Sequence, residues 1–161
     1  MQYFTAGVCP KNWMHIQDSC YKISSGRLNW NAAKSACVAM GSKLAMVKSQ
    51  AEQQALAPKI SGNTWIGLYR DRKDKSRWMW VDGSRASYTN WFSGEPNNAG
   101  GNEDCANLWP PARSWKWNDA RCSHKMRYVC ETNGRLLDRC YSHCESHVTM
   151  EETHSSCHIT T

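Results

Sequence analysis

The 161-residue chain contains no apolar run near the ~18 residues needed to cross a bilayer, so no transmembrane segment is expected. Its start, Met1-Gln2-Tyr3-Phe4, lacks both a basic stretch and a following apolar one, so no secretory signal is expected there. There is no internal repeat and no low-complexity tract, which argues against a solenoid or a linker-like chain. Phenylalanine is scarce, two residues against nine tryptophans, so bulky aromatic packing falls almost entirely to Trp. Nor is there a catalytic constellation. Ser, His and Asp all occur, but none sits in a local nucleophile or acid–base motif, and an enzyme is not expected. Hydrophobic residues make up 40% and charged residues 21%, which excludes a disordered composition. The length suits one domain with a real core and is too short for two.

What is abundant is cysteine. Nine in a chain of this size point to an oxidising compartment, hence to a secreted, extracellular protein; the sequence then reads as a mature chain whose signal has been removed. The formal net charge of +6 raises the question of nucleic acid. Before residue 132 there are 18 basic and 10 acidic residues, and afterwards 2 and 4, so the basic excess belongs to the first part. Its densest stretch, Arg70-Asp71-Arg72-Lys73-Asp74-Lys75-Ser76-Arg77, is interrupted by aspartates and has no aromatic for base stacking. It reads as a solvated loop, with attraction to acidic glycans or an anionic surface as the lesser reading, and no nucleic-acid partner is expected.

Along the chain, Trp30, Ala33, Cys37 and Met40 recur at helical spacing and predict a helix over 29–40 closed by Gly41. Ser49-Gln50-Ala51-Glu52 is a capping box that opens a second helix, which runs through Leu56 and is stopped by Pro58. Thr64 to Leu68, Trp78 to Val81 and Arg127 to Cys130 read as strands, with a turn at Asp82-Gly83. From Tyr88 to Lys116 turn formers dominate, and a loop that long inside a small domain is usually functional or tied down. Thr132-Asn133-Gly134 reads as a linker. Beyond it, Leu137, Cys140, Tyr141, Cys144 and Val148 are spaced to line one face of an expected short amphipathic helix, and Met150 to Thr161, apart from Cys157, read as a polar, loosely ordered end.

Several of these features form an ordered set: Cys9-Pro10 with Trp13, Cys20-Tyr21, Trp30 and Cys37, Trp65-Ile66-Gly67-Leu68, Glu95-Pro96-Asn97, Glu103-Asp104-Cys105, Trp117-Asn118-Asp119, Cys122, and Tyr128-Val129-Cys130-Glu131. The set spans about three quarters of the chain and resembles the C-type lectin-like domain, in its long form with an N-terminal hairpin. The resemblance implies an α+β fold in which two helices flank small antiparallel sheets, with a long calcium-binding loop region and disulfide staples. It also implies the pairs Cys9–Cys20, Cys37–Cys130 and Cys105–Cys122, where spacing alone leaves many pairings open. The expected organisation is a carbohydrate-recognition domain over 1–131 and a Cys- and His-rich tail over 132–161.

Glu95, Asn97, Glu103, Asn118 and Asp119 match the family's calcium ligands. All are oxygen donors, which suits a hard cation taking about six to eight oxygens, and not zinc, which prefers Cys or His. Three carboxylates set −3 against the ion's +2. In the family Glu95-Pro96 would be a cis bond that aims the flanking carbonyl groups at one point. The same five residues would bind sugar: two neighbouring hydroxyls coordinate the ion, donate to Glu95 and Glu103, and accept from the amides of Asn97 and Asn118. In the family Glu-Pro-Asn accompanies mannose, glucose, N-acetylglucosamine or fucose; galactose binders carry Gln-Pro-Asp. One calcium is expected. At a second position Asp71, Glu103 and Asp104 match, but Lys75 and Asn98 stand where carboxylates are usual.

Trp109 and Trp115 lie in the loop 108–115, between Glu103 and Asn118; Trp109 is a candidate for stacking on a sugar ring, and Trp115 reads as a packing residue. In the tail, Cys140, Cys144 and Cys157 remain after the three expected bridges, an odd number that points to an interchain bond and a homodimer or higher oligomer. That arrangement would multiply weak sugar affinity through avidity. A zinc cluster with His143, His147, His154 or His158, or a disordered extension, are the other readings. The expected function is therefore calcium-dependent binding of glycans or glycoconjugates by a secreted lectin, in microbial-surface recognition or agglutination. The rival is a calcium-independent protein-binding module or toxin-like subunit on the same fold.

Overall fold

The computed structural model describes residues 9–133. Among them, two helices and eight strands form around one mixed sheet. The chain enters through a hairpin, β1 (Met14–Ile16) and β2 (Ser19–Ile23), stapled by Cys9–Cys20. Helix α1 (Trp30–Ala39) begins where expected: the Asn29 side chain accepts the Ala32 N–H at 2.8 Å. It ends at Met40, and Gly41 follows at φ 67°, a left-handed turn that costs glycine nothing. Trp30, Ala33 and Cys37 are buried on its inner face. Met40 shares their spacing but is exposed, because as C-cap it has already left helical geometry.

Helix α2 (Gln50–Leu56) is capped by Ser49, whose hydroxyl accepts the Glu52 N–H. Glu52 reaches back one residue further than in a standard capping box, accepting the Lys48 N–H at 2.6 Å. Pro58 falls within a 3-10 turn, Ala57–Lys59, that carries the chain off the helix.

The remaining strands are β3 (Lys43–Leu44), β4 (Thr64–Arg70), β5 (Trp78–Trp80), β6 (Cys105–Leu108), β7 (Trp117–Ala120) and β8 (Arg127–Asn133). The sheet order is β1-β2-β8-β4-β6-β7, with β3 added to β8 and β5 to β4. A single parallel pairing, β4 with β8, joins two antiparallel sets into one sheet. Gly67 lies at the centre of β4, where a Cβ would meet the Leu44 carbonyl oxygen at 2.7 Å; only glycine lets these backbones approach so closely. Cys37–Cys130 ties α1 to β8, and Cys105–Cys122 ties β6 to the turn after β7. These are the pairs the family resemblance implies.

Trp117, fully buried on β7, is the hub of the aromatic core. Trp80, Tyr88 and Trp91 each meet it edge-on at 5.7–5.8 Å, a geometry favoured by the ring quadrupoles. Its indole N–H donates to Gln53 Oε1 at 2.8 Å, and Gln53 in turn donates to the Trp115 carbonyl. The residue that fixes the next two positions, Asn118 and Asp119, is thus held from several sides. The tail residues Cys140, Cys144 and Cys157, the tail histidines and the predicted tail helix lie outside the described residues.

Candidate functional site

β7 ends the strand order, and the loop from Tyr88 onwards covers its free edge. Trp117 N–H donates to the Asn90 carbonyl and Phe92 N–H to the Trp117 carbonyl, so the loop departs from a fixed point. Three residues later the chain turns through Glu95-Pro96, whose peptide bond is cis. Asn98 adopts φ 49°, a left-handed conformation that asparagine tolerates better than most residues.

The turn is organised by Asp119, whose side chain is 0% exposed. Its Oδ1 accepts the Asn97 N–H at 3.0 Å, and its Oδ2 accepts the Asn98 N–H at 2.8 Å. Glu95 closes on the same residue, accepting from the Asn97 backbone N–H and side-chain amide, both at 3.1 Å. Glu103 enters from the far end of the loop: its carboxylate accepts the Ala99 N–H at 2.8 Å, while its own N–H donates to Asn98 Oδ1. Glu95, Asn97, Glu103 and Asp119 therefore meet in one hydrogen-bonded cluster. Asn118 joins through the chain beside Asp119. It makes no hydrogen bond to the other four; its amide N–H donates to Asn107 Oδ1 on β6 at 3.2 Å, and among the described residues no donor reaches its Oδ1.

The electrostatics of this cluster favour a cation. Burial, followed by the neighbouring carboxylates of Asp119 and Glu103, makes Glu95 hold a proton more tightly than an ordinary glutamate. Like charges forced together in this way are relieved by a positive ion. Among the described residues, no three His, Cys, Asp or Glu side chains form a metal-holding group by themselves. The donors here are a mixed set of carboxylates and amides, which is the chemistry of a hard, oxygen-seeking cation.

A further residue, which the sequence reading assigned to the solvated loop 70–77, is instead buried at the end of a strand and completes the arrangement. Arg70, at the end of β4, is only 8% exposed. Its guanidinium donates to Asp119 Oδ2 at 2.6 Å, to the Glu103 carbonyl at 3.0 Å and to the Lys75 carbonyl at 3.2 Å. It also lies 3.3 Å from Asp104 Oδ1 and 4.5 Å above the Trp78 ring. Lys75 adds its ammonium at 3.2 Å from Asp104. Asp71, the other carboxylate matched to a second ion, instead accepts the Lys73 N–H in its own turn.

Of the two loop tryptophans, Trp115 packs against the main core and donates its indole N–H to the Ile60 carbonyl at 2.9 Å. Trp109 directly follows β6. It meets Phe92 at 5.0 Å, and the exposed Arg113 guanidinium lies 4.4 Å over its ring.

The Lectin C-type domain family matches residues 26–132. The chain belongs to that family. It is 40% identical over 131 residues to the hepatic lectin of Gallus gallus, covering 80% of this chain and 61% of that one. It is 37% identical to the C-type lectin mannose-binding isoform of Oxyuranus scutellatus, covering 76% and 82%. The chain thus spans less than two thirds of the hepatic lectin's length. Among solved structures, the carbohydrate-recognition domain of cow CD23, determined in the presence of a GlcNAc2Man3 oligosaccharide, aligns at TM-score 0.72 and 33% identity over 79% of this chain and 97% of that one. A calcium-independent type II antifreeze protein aligns at TM-score 0.73 and 26% identity over 81% and 98%. The fold and family are those read from the motifs, and the family consists of binding proteins, with carbohydrate its general ligand class. No helix among the described residues is long and apolar enough to cross a membrane.

Proposed function

We propose that this domain binds glycans of the mannose, glucose, N-acetylglucosamine or fucose type through one calcium ion, held by Glu95, Asn97, Glu103, Asn118 and Asp119. The observation that carries this reading is the convergence of the loop residues on Asp119 in a cluster whose carboxylates repel one another. When bound, calcium supplies coordination positions for two neighbouring sugar hydroxyls. The protein's part is to orient them: Glu95 and Glu103 accept the hydroxyl protons, and the Asn97 and Asn118 amides donate to the hydroxyl oxygens. Trp109, held by Phe92 and Arg113, offers a stacking surface for a further sugar unit.

Secretion, and oligomerisation through Cys140, Cys144 or Cys157, belong to the same proposal. Non-reducing gels of the full chain should show a dimer that Cys140→Ser or Cys144→Ser diminishes; a monomer throughout removes that part. The main test is a glycan array read in calcium and in chelator. Binding to mannose-type glycans that chelator abolishes is the expected result, and chelator-insensitive protein binding refutes it. The second reading, a calcium-independent binding module, is favoured by Arg70, which neutralises part of the cluster without any metal, and by the structural likeness to the calcium-independent antifreeze protein.

A further inference from the structure

We propose that Arg70 is a resident side-chain cation that holds the 95–104 loop in its ligand-binding arrangement before any metal arrives, so that glycan binding is first order in calcium. This deepens the calcium-dependent reading above and rests on it only for its second half.

Four carboxylates, Glu95, Glu103, Asp104 and Asp119, stand around the loop, and two of them, Asp104 and Asp119, already face a protein cation. With Arg70 and Lys75 counted, two negative charges remain, which one divalent ion balances. A second divalent ion would leave the region positive.

A guanidinium presents its donors in a rigid planar fork, and here the fork is filled by oxygens from separate stretches of chain. Arg70 touches Asp119 on β7, the Glu103 carbonyl at the loop's end and the Lys75 carbonyl in the preceding turn. Its backbone N–H also donates to the Asp104 carbonyl at 2.8 Å. One side chain therefore cross-links the pieces that must meet to form the site. Asp119, once held by Arg70, receives the Asn97 and Asn98 N–H groups, and this sets the turn that carries Glu95 and Asn97. Arg70 thus acts through Asp119 and Glu103 as a positioning residue and need not touch the sugar. A surface ion pair would do little of this work, but the Arg70 and Asp119 side chains are 8% and 0% exposed, where screening by water and salt is weak.

The test is hydrogen exchange on the full chain, disulfides intact, comparing wild type, Arg70→Met and Arg70→Lys in chelator and in saturating calcium. In chelator the wild-type amides of Asn97, Asn98, Ala99 and Glu103 should be protected. Arg70→Met should exchange there about a hundredfold faster or more, the lower end of what breaking a buried ion pair costs, while the Gly67 and Trp80 amides keep their protection. Arg70→Lys, which retains the charge but not the fork, should fall between. Adding calcium should restore protection in Arg70→Met and change it little in wild type. Calcium titration of wild-type glycan binding should follow a single-ion curve. Wild-type loop amides already unprotected in chelator, an Arg70→Met loop as protected as wild type, or a loss spread evenly through the sheet would each overturn the proposal. The chelator arm needs no glycan. If glycan binding fails while the chelator pattern holds, the calcium-dependent reading falls and the role of Arg70 stands.

Discussion

Asp119→Asn isolates the residue on which the site depends. Asparagine has nearly the same shape, so core packing is preserved, but one acceptor oxygen becomes a donor and the charge disappears. The aspartate oxygens accept three hydrogen bonds, from Asn97, Asn98 and Arg70. In either orientation of the amide, its NH2 group faces an N–H donor, and Arg70 loses its buried partner. Breaking such a pair from one side costs about 3–5 kcal/mol. Two features hold the value near the lower end. Arg70 keeps Asp104 at 3.3 Å, and the loop can undock locally to admit water before the whole domain unfolds. The expected loss is about 3 kcal/mol, which for a domain of this size lowers Tm by roughly 10–15 °C. The assay is urea and thermal unfolding in chelator, with Arg70→Met and the double variant completing a cycle. Because removing both partners leaves no uncompensated charge, the double variant should be more stable than the sum of the two losses by about 2 kcal/mol. A loss below about 1 kcal/mol for Asp119→Asn, or a coupling near zero, would show that the pair does not organise the loop.

Three other variants test separate features of the domain. Gly67→Ala places a Cβ against the Leu44 and Ala45 carbonyl oxygens and Val81 Cγ2, and should cost about 1–3 kcal/mol or more by denaturant unfolding; an unchanged midpoint would mean that β4 has room to shift. Glu131 is buried, accepting from the Met46 N–H and the Ser19 hydroxyl, and its burial raises its pKa. A raised carboxyl favours folding below the usual glutamate range, and this contribution is lost as pH rises through the folded value. Glu131→Gln should therefore gain in Tm relative to wild type between acidic and neutral pH, and a gap that moves the other way refutes the assignment. Finally, Glu95→Gln combined with Asn97→Asp should weaken mannose binding and shift preference towards galactose on the same array, whereas an unmoved preference would place the sugar elsewhere.

Much of the frame was legible because its signals are local. Asn29 and Ser49 cap the helices they precede, and Trp65-Ile66-Gly67-Leu68 is β-prone over a run long enough to commit. Strand β6 was hidden, since Cys105-Ala106-Asn107-Leu108 sits amid turn formers and becomes a strand only by pairing with β4 and β7. The abundance of Trp was visible, but not that three aromatic rings converge on Trp117, a product of three-dimensional packing.

Arg70 shows why the rest of the site was not legible. It belongs to a basic run whose other members are largely solvated, and nothing local distinguishes it from Arg72 or Lys73, which are exposed. What separates it is register. As the last residue of β4 it faces Trp78 across the ladder with β5, and its neighbour Tyr69 pairs with Cys105 of β6. Its partners at Glu103 and Asp119 stand 33 and 49 residues away in sequence. A carboxylate set can be read as a metal site from residue types alone, because its members share one chemistry. A cation that completes the set from another strand has no such mark. The number of ions the site needs thus depends on the Arg70 contacts, and a count of −3 against +2 over the five matched ligands omits Asp104, Arg70 and Lys75 altogether.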